Sequence, residues 1–251
     1  MIRLLVLCAV LAACDRTAPP PAASTSDVVP KGFTIPKQAK QLVTAVVDEW
    51  TSTHAQLALW QRTPGGWQRV GEPWPAVIGK AGAAWGTGMS PTGEGPTKKE
   101  GDLKSPAGVF AFRDAYGYVE DAPKGWRMPY EHALDLECVD DPASDHYTKI
   151  VDRKQVPSDW QSAEQMRRDD DLYEWVLDVA HNPDGKPGLG SCIFLHVWSG
   201  PESTTAGCTA MDKAKLEALL AKLDPANKPL FVLLPRAEYK RVASVWGLPA
   251  L

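Results

Sequence analysis

Two residues twelve positions apart carry the most chemistry in this sequence, His196 and Cys208. A thiolate is a strong nucleophile, and an imidazole is the side chain best suited to take its proton near neutral pH. Cys208 sits in Thr204-Thr205-Ala206-Gly207-Cys208-Thr209-Ala210-Met211. Gly207 permits a tight turn before the cysteine, and small neighbours leave its sulfur accessible. A helix expected to start near Asp212 would bring a positive dipole close and lower the thiol pKa, helping a thiolate–imidazolium pair to form. The backbone N–H groups of Gly207 and Cys208 are expected to hold a developing oxyanion. His196 lies in Ile193-Phe194-Leu195-His196-Val197-Trp198, which reads as a strand. Side chains alternate along a strand, so Ile193, Leu195 and Val197 should fill a core while Cys192, Phe194 and His196 share the other face.

The segment Ile193 to Met211 resembles the active-site motif of the L,D-transpeptidase catalytic domain (YkuD-like) family, in a variant with short His–Cys spacing. That motif is a histidine on a strand, a short loop, and a Ser/Thr–x–Gly–Cys turn. By this resemblance His196 is the catalytic base, Cys208 the nucleophile, Gly207 the glycine of the turn and Thr205 its Ser/Thr. The Val197 carbonyl falls where the family orients the imidazole. Upstream, Lys99-Glu100-Gly101-Asp102 and Ser105-Pro106-Ala107-Gly108 resemble the family's loop-and-strand signature. The resemblance implies a mainly β fold, a mixed β-sandwich or barrel-like catalytic domain with added helices at both ends. It implies acyl transfer on peptidoglycan stem peptides through a thioester, with no metal or organic cofactor. It also makes carbapenem-type β-lactams covalent inhibitors. Thr205, Ala206, Trp198 and Trp85 are the candidate substrate contacts.

Two departures bear on the acceptor. Ala206 stands where many members carry a second histidine, and Thr209-Ala210-Met211 replaces a common Arg or Asn after the cysteine. The alternatives are therefore an L,D-carboxypeptidase or endopeptidase using the same pair, or a non-catalytic wall-binding lipoprotein.

The other cysteines follow from compartment. Arg3, the apolar run Leu4 to Leu11, and Ala12-Ala13 read as a secretory signal, and Leu11-Ala12-Ala13-Cys14 resembles a bacterial lipobox. Cys14 would then carry lipid and anchor the chain on the periplasmic side of the cell envelope. Cys8 leaves with the signal. Of the three remaining cysteines in an oxidising compartment, Cys208 stays free for chemistry, so Cys138 and Cys192 are expected to pair. Cys192 itself is four residues from His196, about 13 Å along a strand, and is expected to stand outside the catalytic pair.

These residues need a scaffold. Residues 1–13 read as signal, 14–36 as a lipidated cysteine and a Pro-rich tether, and 37–251 as a single catalytic domain with an N-terminal helix. That helix is drawn from Ala39, Leu42, Val43, Val46, Val47 and Trp50 at helical spacing. Strands are expected over Gln56–Gln61, Trp67–Val70, Val109–Phe112, Leu172–Ala180, Cys192–Trp198 and Leu230–Leu234. Helices are expected over Lys213–Leu223 and Ala237–Trp246. Residues 119–170 read as irregular loops and short helices, and Arg167-Arg168-Asp169-Asp170-Asp171 as a solvated turn. A net charge of −4 gives no electrostatic reason for nucleic-acid binding. His132, Asp135, Asp145, His146 and His181 lack metal-ligand spacing.

Overall fold

The computed structural model describes residues 32–251. The expected signal segment and the lipidated Cys14 lie outside them. The fold is mainly β. In chain order the strands are β1 (Gln41–Val47), β2 (His54–Thr63), β3 (Gly66–Arg69), β4 (Trp74–Val77), β5 (Ala83–Trp85), β6 (Ser105–Gly117) and β7 (Tyr130–His132). They continue with β8 (Leu136–Val139), β9 (Ile150–Asp152), β10 (Ala163–Gln165), β11 (Trp175–Val179), β12 (Phe194–Val197), β13 (Thr209–Met211) and β14 (Leu230–Pro235). Two α-helices, α1 (Lys213–Leu220) and α2 (Arg236–Trp246), flank β14.

The principal sheet runs β1-β14-β6-β11-β12-β13-β4-β2, and β2 pairs back onto β1, so it closes into a barrel. Closure leaves no open edge along this circuit. A separate three-stranded sheet, β10-β8-β9, is built from residues expected to be irregular.

The expected N-terminal helix is a strand. All seven residues of β1 are buried, between β14 on one side and β2 on the other. A strand buried on both faces is mostly apolar, here at all positions but Gln41 and Thr44, so helical spacing appears in it by default. Its β-branched residues Val43, Thr44, Val46 and Val47 favour the extended form. The expected tether also ends too late. Ile35 is buried in the core, Phe33 packs edge-on against Trp246, and the Ile35 N–H bonds the Trp246 carbonyl at 2.8 Å.

The helices at the other end form as expected. The Asp212 carboxylate caps α1 through the Ala214 and Lys215 N–H groups, and Leu216, Leu219 and Leu220 pack inward. Helix α2 buries Tyr239, Val242 and Trp246 and stops at Gly247, whose φ of 69° closes the end.

Strands β6, β11, β12 and β13 lie side by side and carry two different faces. Ala115, Leu177, Leu195, Val197 and Met211 belong to the main apolar core. Tyr116, Val176, Phe194 and Cys208 belong to a second cluster with Leu136, Cys138, Met166 and Tyr173. The small sheet covers this second face.

Candidate active site

The parallel pairing of β12 with β13 sets the geometry. Leu195 is opposite Thr209 and His196 opposite Ala210, so Cys208 falls opposite Phe194. Alternation then places His196 and Cys208 on one face, their Cα atoms about 8 Å apart on strand rise and spacing.

The turn before Cys208 is fixed from three sides. The Thr205 hydroxyl donates to the Cys208 carbonyl at 2.7 Å and accepts the Gly207 N–H at 3.1 Å. The Ser105 hydroxyl donates to the same carbonyl at 2.8 Å and accepts the Gly79 N–H at 2.9 Å. A Cβ on Gly207 would lie 3.2 Å from the Lys104 carbonyl, and φ there is 157°. Both features select glycine. Since Thr205 takes the Gly207 N–H, that group is not free for an oxyanion as expected from the sequence.

The sulfur is a free thiol and is 6% exposed. It accepts the Phe194 N–H at 3.3 Å and donates to the Cys192 carbonyl at 3.5 Å. It lines a cavity of about 190 Å³ shared with Lys98, Glu100, Asp140, Glu164 and Ala206. Burial pushes the thiol up, with the Glu164 carboxylate adding to it. The Phe194 N–H, the Tyr173 hydroxyl and Lys98 oppose this shift.

His196 is 7% exposed. Its Nδ1 lies 2.7 Å from the Val197 carbonyl. A carbonyl only accepts, so Nδ1 carries the proton and Nε2 the lone pair. Burial lowers the imidazole to about 4, against the pull of the Val197 carbonyl, with Arg168 lowering it further. The resting pair is therefore a neutral thiol and a neutral imidazole, and the thiol's hydrogen bonds go to backbone. Two physical features work against the expected thiolate–imidazolium state. Burial penalises both charges. The helix that was to lower the thiol begins only at Lys213, beyond β13, and its N-terminus is already capped by Asp212.

Several residues not singled out from the sequence enclose the pair. The Tyr173 ring stands edge-on to His196 at 5.1 Å and to Phe194 at 5.7 Å. Its hydroxyl donates to Glu164 at 2.8 Å. Arg168 lies over the Tyr173 ring at 5.0 Å and makes two 2.8 Å bonds to Asp170. Part of the run expected to be a solvated turn thus covers the site. Lys98 pairs with Asp102 at 2.7 Å, within the Lys99-to-Asp102 signature that was the one sequence signal for this wall.

The remaining candidates divide. Ala206 lines the cavity. Trp198 is half-buried beyond the end of β12 and does not line it. Trp85 is an interior residue, 2% exposed, packed against Trp50 with its indole N–H on the Glu94 carbonyl at 2.9 Å. Its large ring is better accommodated in the core than at a wet cleft.

Cys138 and Cys192 form a disulfide with Cα atoms 5.9 Å apart. It ties β8 of the small sheet to the start of β12. Cys192 does stand outside the pair, yet its carbonyl holds the thiol. A disulfide accords with an oxidising compartment. Among the described residues no helix is long and apolar enough to cross a membrane. Nor do the described residues gather three or more His, Cys, Asp or Glu side chains in a metal-binding group.

No family model and no curated protein matches the sequence. In structure the chain is similar to the helical cell shape determining protein Pgp2 from Campylobacter jejuni, with a TM-score of 0.36 and 14% identity. The match covers 78% of this chain and 47% of that one, so the chain spans about half that protein's length. A likeness at this level carries no argument for fold or activity.

Proposed function

We propose that the chain is a cysteine acyltransferase of the L,D-transpeptidase type, acting on peptidoglycan stem peptides. The observation that carries this reading is the placement of a free thiol at a cavity wall, on the same face as an imidazole whose Nδ1 is pinned to a carbonyl. Pinning leaves Nε2 as the basic nitrogen. In the proposed cycle the Cys208 proton passes to Nε2 of His196 as the sulfur attacks the peptide carbonyl. The carbonyl carbon–nitrogen bond breaks, and the imidazolium returns the proton to the leaving amine. A thioester remains on Cys208. An amine of a second stem, or water, attacks it and restores the thiol. Because both groups rest neutral, proton transfer must accompany substrate attack rather than precede it.

Hydrolysis is the second reading. It is favoured by Ala206, which puts a methyl group in the cavity where an acceptor-binding imidazole would otherwise project. Anchoring through Cys14 would set either activity at the envelope membrane, with residues 37–251 as the catalytic unit.

The test is incubation of the protein with purified tetrapeptide muropeptides. A Cys208-linked acyl adduct in intact mass, lost in Cys208→Ala, is the expected result. Cross-linked product identifies the transferase, and trimmed monomer alone the hydrolase. A meropenem adduct on Cys208 is expected as well. A folded protein that forms neither adduct overturns both readings in favour of a non-catalytic wall-binding role.

A further inference from the structure

A second cavity, of about 390 Å³, opens on the same sheet face but two strands away. Asp178 on β11 is opposite Phe194 on β12, which in turn is opposite Cys208. The two sites are thus about 10 Å apart at the backbone, on strand spacing. Tyr147 stands between them: it lines the second cavity, while its hydroxyl meets Glu100 of the first.

Three polar heads converge here. The Asp178 side chain is 7% exposed and makes one contact, to Arg113 Nη1 at 3.3 Å. Its other oxygen makes no hydrogen bond to the described residues and is open to the cavity rather than sealed in. Arg113 spends one of its five N–H groups on that contact and is otherwise open to the cavity. Tyr116, 6% exposed, also lines the cavity. Burial raises Asp178 to about 6, with Arg113 opposing the shift and Asp114 adding to it.

The Arg113–Asp178 pair is neutral as a unit. The other charges lining the cavity, Asp145, Lys149 and Asp184, are exposed and screened by water, so a lone anion or a lone cation at the buried end meets one attractive and one repulsive charge. A ligand carrying both charges in opposed order would satisfy both. We infer that this cavity binds a zwitterionic α-amino-acid head group, its carboxylate on Arg113 and Tyr116 and its ammonium on Asp178. The inference stands apart from the thioester chemistry, since none of these residues touches Cys208 or His196.

The test is amide chemical-shift mapping on the full chain, titrated with glycine and with alanine of either hand. Shifts centred on Arg113, Tyr116, Thr148 and Asp178 are expected. Acetate alone and methylammonium alone should bind about tenfold more weakly or worse, since each leaves one charge unpaired. Arg113→Gln and Asp178→Asn should each weaken binding by about tenfold. Tyr116→Phe, which leaves the ion pair whole, gives a smaller loss and guards against misfolding of the charge variants. Absence of shifts at this cavity overturns the inference, as does acetate binding as well as glycine. Binding unchanged in all three variants also overturns it.

Discussion

The two faces of β6, β11, β12 and β13 obey opposite rules. Toward the barrel interior the paired residues Ala115, Leu177 and Leu195 are apolar and fully enclosed. On the other face, under the small sheet, Tyr116, Asp178, His196 and Cys208 are just as buried yet polar or titratable. The interior face gains stability from burial. The covered face gives some of it up, because its ionisable groups are held in the forms that burial prefers. The difference teaches where to look for chemistry in a barrel of this kind: on the sheet face that carries a second lid of structure, not in the barrel.

The largest effects separate the faces outright. Cys208→Ala should abolish acyl-adduct formation while leaving the unfolding midpoint near that of the parent, because the loss is one sulfur atom. Leu195→Ala, one residue from His196 but on the opposite face, should lower stability by about 2–5 kcal/mol. Its adduct should still form at a temperature where it is folded. If Leu195→Ala kills the chemistry at full occupancy of the native state, the two faces are not separable. Removing the disulfide with Cys138→Ser and Cys192→Ser should come next. Its loop spans 54 residues, and the chain-entropy account gives about 4 kcal/mol, read as a drop in denaturant midpoint.

The pH dependence of stability sharpens the contrast, since two of the titratable groups concerned, His196 and Asp178, lie on the covered face, and the third, His181, packs on Phe110 of the core. His196 and His181 are each lowered to about 4 by burial. Unfolded, each takes up a proton near 6.5. Their stabilising contribution is therefore complete above that value and is lost as pH falls toward 4, by about 3 kcal/mol each. Asp178 runs the other way. Its folded value is raised to about 6, so the native state binds its proton first, and about 3 kcal/mol returns as pH falls from 6 toward 4. The net expectation is a fall of about 3 kcal/mol between neutral pH and pH 4. Urea midpoints at the two pH values measure it. His196→Asn should remove most of that fall, and an unaltered slope would show that the imidazole is not buried neutral.

The sequence made one strand legible in detail and left its partner β13 and its surroundings dark. Ile193 to Val197 is too short and too β-branched or aromatic for a helix, so the strand period alone assigned His196 and Leu195 to opposite faces. The Gly-Cys turn and the Ser105 segment were visible as short motifs. Burial on both sides defeated the periodicity argument at β1, where every position but Gln41 and Thr44 is apolar. The covering wall was invisible for a different reason. Glu164, Asp140 and Tyr173 reach the thiol through tertiary packing of short strands and loops, and nothing in their local sequence differs from a solvated surface. Arg167 to Asp171 are exposed, as the charge run suggested; what composition could not show is that Arg168 also lies over the Tyr173 ring.

The smallest effect tests that hidden wall. Two causes raise the Cys208 thiol, burial first and the Glu164 carboxylate second. Glu164→Gln keeps the shape and still accepts the Tyr173 hydroxyl, but removes the negative charge beside the sulfur. The thiolate fraction at mildly alkaline pH should rise, and iodoacetamide alkylation should accelerate by about threefold to tenfold, the change expected for a shift of up to one pKa unit. Tyr173→Phe should act in the opposite sense, because the hydroxyl that rests on Glu164 can turn its proton to the sulfur once the thiolate forms. If both variants accelerate alkylation alike, the rate reports opening of the cover rather than charge. If Glu164→Gln changes nothing, burial alone sets the thiol, and the covered face is then polar in composition but apolar in its effect on Cys208.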